Sequence, residues 1–377
     1  MQNILTQHDN YPKKLFSEVF SDDTKLCAKI AVSNYLLEGE YPIIDQSKNF
    51  IAGYSNSSLG IYADVPAIIF GDHTRIIKYV DKPFFIGADG VKLLKPKMDG
   101  ISTKYLYYVL LHAKIPDTGY NRHFKWLKEI KIPLPPLDIQ RQIADTLDKV
   151  TELIDLRKKQ LEKLDELVKA RFVEMFGDPV DNPMGWSTKQ LQELVTDDCT
   201  ISYGIVQTGD DQEEGVPVFR PVDIVNRIPV RAELKKTTEE ISNKYKRTIL
   251  KGREMLITVR ANIADTCIVG EEFTGCNVGR GIVPIRTRED EMILEFLKYQ
   301  IDSKHLNDNI KALAKGITLL QLNMEDLREV TLIVPPIEKQ KSFVEFAKQT
   351  DKSKVIIQQS LDTLETLKKS LMQEYFG

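Results

Sequence analysis

At 377 residues, 42% hydrophobic and 28% charged, the chain has room for two cores and the composition of an ordinary folded protein, which excludes wholesale disorder. No apolar run reaches the roughly 18 residues of a membrane helix, and the opening MQNILTQHDNYPKKLF lacks a secretory apolar stretch, so a cytoplasmic protein without a membrane partner is expected. The net charge of −3 is not that of a basic tail or a histone-like domain, so charge names no nucleic-acid partner.

Residues 1–136, with 17 basic side chains against 14 acidic, read as a β-rich domain. Short strands are predicted at 65–70, 75–80 and 82–86, separated by polar Gly/Asp/Asn turns, which implies an antiparallel, partly barrel-like sheet. A helical run at 105–112 and a glycine-led polar loop at 119–125 follow. Residues 137–178 read as one long helix: Pro135-Pro136 precede it, Asp138 suits its positive end, and Gly177 then Pro179 stop it. Ile143, Leu147, Val150, Ile154, Leu161, Leu164 and Val168 fall at 3–4 spacing and form a seam that needs a partner helix. Residues 179–336 are a second, acidic β-rich domain, with 20 basic side chains against 25 acidic. Residues 337–377 form a second long helix whose seam is Phe343, Ile357, Leu361, Leu364 and Leu371, interrupted by Thr350, Lys354 and Lys368. The four cysteines (Cys27, Cys199, Cys267, Cys276) form no CxxC pair, which fits reduced thiols and excludes a disulfide scaffold or a zinc ribbon.

The chain repeats itself at an offset of 200 residues. Pro135-Pro136 recurs as Pro335-Pro336, Gln140 as Gln340 and Phe176-Gly177 as Phe376-Gly377, within ten identities over 43 ungapped positions. Leucine-rich helices share leucines by composition, but not the flanking prolines and the terminal Phe-Gly. The domains repeat more loosely: Tyr41–Asp45 resembles Val216–Arg220, Ile68–His73 resembles Met255–Arg260, and Gly87–Val91 sits where Val278–Ile282 sits. The expected fold is therefore α+β: two β-rich globular domains and two long antiparallel coiled-coil helices, with internal two-fold pseudo-symmetry.

On these residues, Ile132-Pro133-Leu134-Pro135-Pro136-Leu137 leading to Gln140-Arg141-Gln142-Ile143-Ala144, its copy Val334–Gln340, and Ile69–Thr74, the chain resembles the specificity subunit of Type I restriction–modification enzymes over nearly its full length. The resemblance implies two target recognition domains, each reading one half of a split, asymmetric double-stranded DNA sequence, with the helices as spacer. It also implies two modification (methyltransferase) subunits that carry S-adenosylmethionine, with restriction (nuclease/translocase) subunits joining them. No cofactor or metal is expected on this chain, which the resemblance makes a non-catalytic subunit. The alternative reading is a coiled-coil scaffold whose two domains bind proteins.

Base readers are expected in loops between strands, where Arg suits guanine and Asn or Gln suits adenine. The first domain offers Asp72, His73, Thr74, Arg75, Tyr120, Asn121, Arg122 and His123; Arg75 and Arg122 are its only arginines. The second offers Tyr203, Gln207, Thr208, Arg220, Arg260, Asn262, Arg280, Lys315, Thr318 and Gln321. His73 and His123 have no GxSxG, HExxH or HxxxH context, GxxxxGK[ST] is absent, and the Pro-Pro pairs follow Leu134 and Val334, not the Asn or Asp of an amino-methyltransferase motif. The basic runs Arg157–Lys159 and Lys368-Lys369 read as solvated helix surface.

Overall fold

The computed structural model describes residues 11–87, 89–224, 229–316 and 320–377. The chain folds as two units, Met1–Lys159 with Ile357–Gly377, and Gln160–Ile356.

Among its described residues the first unit holds ten strands: β1 (Lys13–Leu15), β2 (Phe20–Asp22), β3 (Lys29–Ile30), β4 (Tyr41–Ile44), β5 (Gly53–Ser55), β6 (Ala67–Gly71), β7 (Ile77–Val80), β8 (Phe85–Gly87), β9 (Val91–Pro96) and β10 (Lys131–Pro133). They form an antiparallel sheet β2-β9-β6-β7, a mixed sheet β3-β8-β4-β5 and the pair β1-β10. The second unit continues with β11 (Thr188–Gln190), β12 (Val216–Phe219), β13 (Lys235–Thr237), β14 (Glu254–Thr258), β15 (Thr266–Val269), β16 (Asn277–Val278), β17 (Ile282–Ile285) and β18 (Thr331–Ile333). Its sheets repeat the plan as β15-β14-β17, β13-β12-β16 and β11-β18. The expectation of an antiparallel, barrel-like sheet needs correcting. In the first unit β8 runs parallel to both β3 and β4, and in the second β16 runs parallel to β12. Between β4 and β8 the chain first adds β5 to the same sheet and then places β6 and β7 in the other before it returns, so β4 and β8 meet in the same direction.

The long helices run Leu137–Phe176 and Ile337–Phe376, each 40 residues and so about 60 Å long. Both start immediately after Pro-Pro, with Asp138 or Glu338 in the first turn. The first ends at Gly177, whose φ of 73° needs a residue without a Cβ and whose N–H donates to Val173 O at 2.8 Å.

Inside the first unit the helices pack antiparallel: Ile143, Ala144 and Leu147 share a core with Tyr375, and farther along Lys158 bridges Glu365 at 2.9 Å. Inside the second the same holds, with Phe172 and Phe176 on Phe343 and Lys354 bridging Asp165 at 2.7 Å. Of the seam residues, Ile143, Leu147, Val150, Ile154, Val168, Phe343 and Leu361 are buried, whereas Leu161, Leu164, Ile357, Leu364 and Leu371 are only half-buried. Thr350, expected to interrupt the seam, is buried with its hydroxyl donating to Phe346 O at 3.0 Å. Lys354 stays in the seam because Asp165 and Asp351 flank it. Burial pulls its ammonium down, but the two carboxylates hold it above its usual range. Of the basic runs, Lys158, Lys159 and Lys369 are exposed as expected, Lys158 in an ion pair with Glu365, whereas Lys368 is half-buried, its ammonium pushed down by that burial.

Each head is tied to its helix by the repeated glutamine. Gln140, 2% exposed, accepts the Ser102 N–H at 2.9 Å and donates to Pro135 O at 2.8 Å. Gln340, fully buried, accepts the Ile293 N–H at 3.0 Å and donates to Glu291 O at 2.9 Å and Pro335 O at 2.8 Å. Ser102 and Ile293 are themselves the N-caps of Thr103–His112 and Leu294–Ile301, so one amide joins the starts of two helices. Gln340→Ala leaves buried backbone groups without partners and is expected to cost about 2–3 kcal/mol. Phe343→Ala, which removes a ring packed edge-to-face against Phe172, Phe176, Phe296 and Tyr299, is expected to cost about 3–5 kcal/mol. Urea denaturation of the full chain reads both, and losses below about 0.5 kcal/mol contradict the assignment.

Candidate nucleic-acid interface

In the first unit four loops converge beyond the ends of β4, β6 and β8. The loop after β6 turns tightly: the Arg75 N–H donates to Gly71 O at 2.7 Å, and Arg75 takes a left-handed φ of 61°. Gln46, just after β4, is the hub. Its Oε1 accepts the His73 N–H at 3.2 Å, its carbonyl accepts the Thr74 hydroxyl at 2.8 Å, and its amide donates to Asp89 O at 3.2 Å. Gly90, with φ of 79°, lets the loops close: a Cβ there would lie 2.5 Å from Gln46 Nε2 and 2.8 Å from the His73 ring.

Two expected readers have another task. Asp72 and His123 are buried, at 5% and 0% exposure, and therefore cannot reach a base edge in this conformation. The Asp72 carboxylate accepts the Phe124 N–H at 2.7 Å, and its carbonyl takes the His123 N–H at 2.8 Å and His123 Nδ1 at 3.0 Å. They fasten the β6 loop to the 115–123 loop. Arg75 is likewise held, with Asp117 at 2.6 Å. The Gly119 N–H and the Arg75 guanidinium keep the Asp117 carboxyl below its usual range. What faces outward is Tyr120, 88% exposed and stacked on His73 with ring centroids 4.7 Å apart, together with Thr74, Asn121 and Arg122.

In the second unit the equivalent rim gathers Tyr203, Arg220, Arg260, Arg280, Lys315 and Gln321. Gln321 pairs through its backbone with Arg260 and Lys315, and its amide donates to the Tyr203 hydroxyl at 2.6 Å. Tyr203 is brought there by a close strand approach that requires Gly204, since a Cβ would lie 2.0 Å from Val278 O. The Arg280 N–H donates to Ile205 O at 2.8 Å. Arg220 is committed to buried Asp223 by two side-chain bonds of 3.0 Å, and Lys315 bridges Asp326 at 3.2 Å. Asn262 and Gln207 are exposed, Asn262 in the loop after β14 and Gln207 in the one before β12, and the Thr208 carbonyl is taken by the Thr237 hydroxyl at 2.7 Å. Thr318 lies outside the described residues.

Gln46 was not among the expected readers, although it lies in such a loop between strands, just after β4. The four cysteines are free thiols, three of them buried. No helix among the described residues is long and apolar enough to cross a membrane.

Two heads built on one plan, each latched to a long helix and each offering a different set of loop side chains, define a duplicated recognition chain. The sequence profile of the Type I restriction modification DNA specificity domain matches twice, at residues 17–166 and 183–366. The chain therefore belongs to that family.

Among curated relatives, the Escherichia coli Type I restriction enzyme EcoBI specificity subunit is 26% identical over 246 residues, covering 59% of this chain but 52% of its own length. The Escherichia coli EcoR124I/EcoR124II specificity subunit is 25% identical over 338 residues, covering 82% of this chain and 79% of its own. Among solved structures, the S subunit of a Type I restriction–modification system from M. genitalium covers 98% of this chain and 96% of its own, with a TM-score of 0.63 at 16% identity. A chain from a study of complex assembly and conformational transition of the type I R-M system reaches a TM-score of 0.54 at 19% identity, over 97% of this chain and 99% of its own. These two likenesses establish the fold.

The loop after β14 carries backbone strain that can be tested. Ala261 and Ala264 sit at φ of 61° and 64° on either side of Asn262-Ile263, held there because the Thr258 N–H donates to Asp265 O and the Ala264 N–H to Thr258 O, both at 2.9 Å. The exposed Ala261 gains freedom from Ala261→Gly, which is expected to stabilise the protein by up to about 1 kcal/mol. A clear loss of stability in thermal unfolding contradicts the strained conformation.

Proposed function

We propose that this chain is the addressing subunit of a Type I restriction–modification assembly: it binds a bipartite, asymmetric DNA target and carries no reaction centre of its own. The observation that supports this most directly is the pairing of near-identical latches with unlike loops. Pro-Pro, the buried glutamine and the long helix recur in both halves, whereas the strand-end loops carry different side chains. A protein selected to present two different surfaces in one fixed relation has this form. Half-sites on duplex DNA are separate segments that need such a relation.

In this reading the long helices set the distance between the recognised halves, because a rigid helix fixes separation better than a flexible linker. The partners are double-stranded DNA, two methyltransferase subunits that hold S-adenosylmethionine, and restriction subunits. Leu153, Leu156, Leu167, Val355 and Ile356 on the long helices are exposed, and apolar side chains of this kind suit a docked subunit. The scaffold alternative is not favoured, since the family matched over both halves is a DNA specificity domain.

Selection from a randomised duplex library by the full chain with its methyltransferase subunits is expected to enrich a split motif with a constant spacer. A matched heptad inserted after Lys159 and after Ile356 lengthens each helix by about 10 Å, roughly three base-pair steps. The enriched spacer is expected to lengthen accordingly, or binding to be lost. An unchanged spacer contradicts the ruler, and no enriched motif contradicts the DNA reading.

A further inference from the structure

The strand registers give a way to compare the two rims position by position. In the first unit Gly71 pairs with Val91, and in the second Thr258 pairs with Ile282. Two residues beyond the first member of each pair stand His73 and Arg260; two residues before the second stand Asp89 and Arg280. The same frame therefore carries an imidazole and a carboxylate on one head and two guanidiniums on the other.

Those two guanidiniums are unusual within their unit. Arg171, Arg220, Arg253, Arg286 and Arg288 are paired with carboxylates, and Arg231 and Arg328 donate to backbone carbonyls. Arg247, exposed on the turn before β14, and Arg260 and Arg280 have no such partner among the described residues; of the three, Arg260 and Arg280 lie on the loop rim, past the other end of β14. Arg260 is also directed: its Nε is enclosed without a hydrogen-bond partner, and its backbone is bridged to Gln321, whose amide is fastened to Tyr203. A half-enclosed guanidinium presents its donors as a fixed fork. A fork matches the two acceptors, O6 and N7, on the major-groove edge of guanine; a phosphate can also accept it in two bonds, but only the base contact confines the loss to one position of the sequence.

We infer that Arg260 and Arg280 are guanine-reading residues, so that the half of the target contacted by the second unit contains guanine at the positions they reach. This rests on the DNA-reading function proposed above. The first unit, with His73 and Asp89 at the matched places and Asp89 paired with Lys29 at 3.8 Å, has no guanine fork there.

The test is library selection with the full chain assembled with its methyltransferase subunits, comparing wild type with Arg260→Gln, Arg280→Gln and Arg260→Lys. Wild type is expected to select guanine in one half. Each glutamine variant is expected to lose that preference at one position of that half, by about ten- to hundred-fold in relative affinity, with the other half unchanged. Arg260→Lys keeps the charge but not the fork, and is expected to relax the same position. Weakening that is uniform over all sequences, with a shallower salt dependence, identifies phosphate contacts and overturns the inference. A wild-type split motif without guanine, or variants that change both halves, overturns it while leaving the addressing function standing. A wild type that selects no motif overturns both. Thermal melting controls for folding, and Arg280→Gln, which leaves the enclosed Nε of Arg260 untouched, decides the matter if the Arg260 variants fail to assemble.

Discussion

A primary amide buried where a long helix begins has four hydrogen-bonding positions to fill and no water to fill them. In each unit that amide is a glutamine in the first turn, and its partners lie in two places at once: the Pro-Pro segment that starts the long helix, and the turn that starts a helix of the head. Leaving such groups unpaired is costly, so head and helix hold one orientation. The loops after β6 and β14 stand on sheets packed against these same short helices, which ties their position to the glutamine.

The arrangement separates two demands that usually conflict. The frame must be constant, and it is: Pro-Pro, glutamine, seam and strand order recur in both halves. The surfaces must differ, and they differ where the sheet registers allow it without disturbing the core, at residues just past strand ends. His73 stacks on Tyr120 on one head; Arg260 lies beside Gln321 and Tyr203 in a polar cluster on the other. Even the charges inside the helix pairing serve the frame, because Lys354 with Asp165 and Lys158 with Glu365 tie one helix to the other.

The duplication was legible in the sequence because proline, glycine and a buried glutamine are tied to single positions by backbone geometry and hydrogen bonding. The seam was legible only in part. Phe172 and Phe176 were overlooked because there the buried face of the helix serves two neighbours at once, Phe343 on its partner helix and Phe296 in the head. The parallel pairings of β4 with β8 and of β12 with β16 join strands distant in sequence, and no local pattern announces them. The loop readers divided for a further reason. Asp72 and His123 look like ligand-facing polar residues, but a loop must satisfy its own backbone groups, and these two side chains are spent on that. Gln46 lies in an ordinary polar run, Asp45–Asn49, with nothing in the sequence to single it out, so its place at the centre of the cluster emerges only when the loops are brought together.

The account's central claim is that one frame carries two independent readers. It is tested most directly by exchanging residues 17–133 for the corresponding head of a family member with a different known motif and mapping the DNA sequence that the resulting complex methylates. The account predicts that one half of the motif changes to the donor's while the other half and the spacer stay as they were. A change in both halves, or in the spacer, would contradict it.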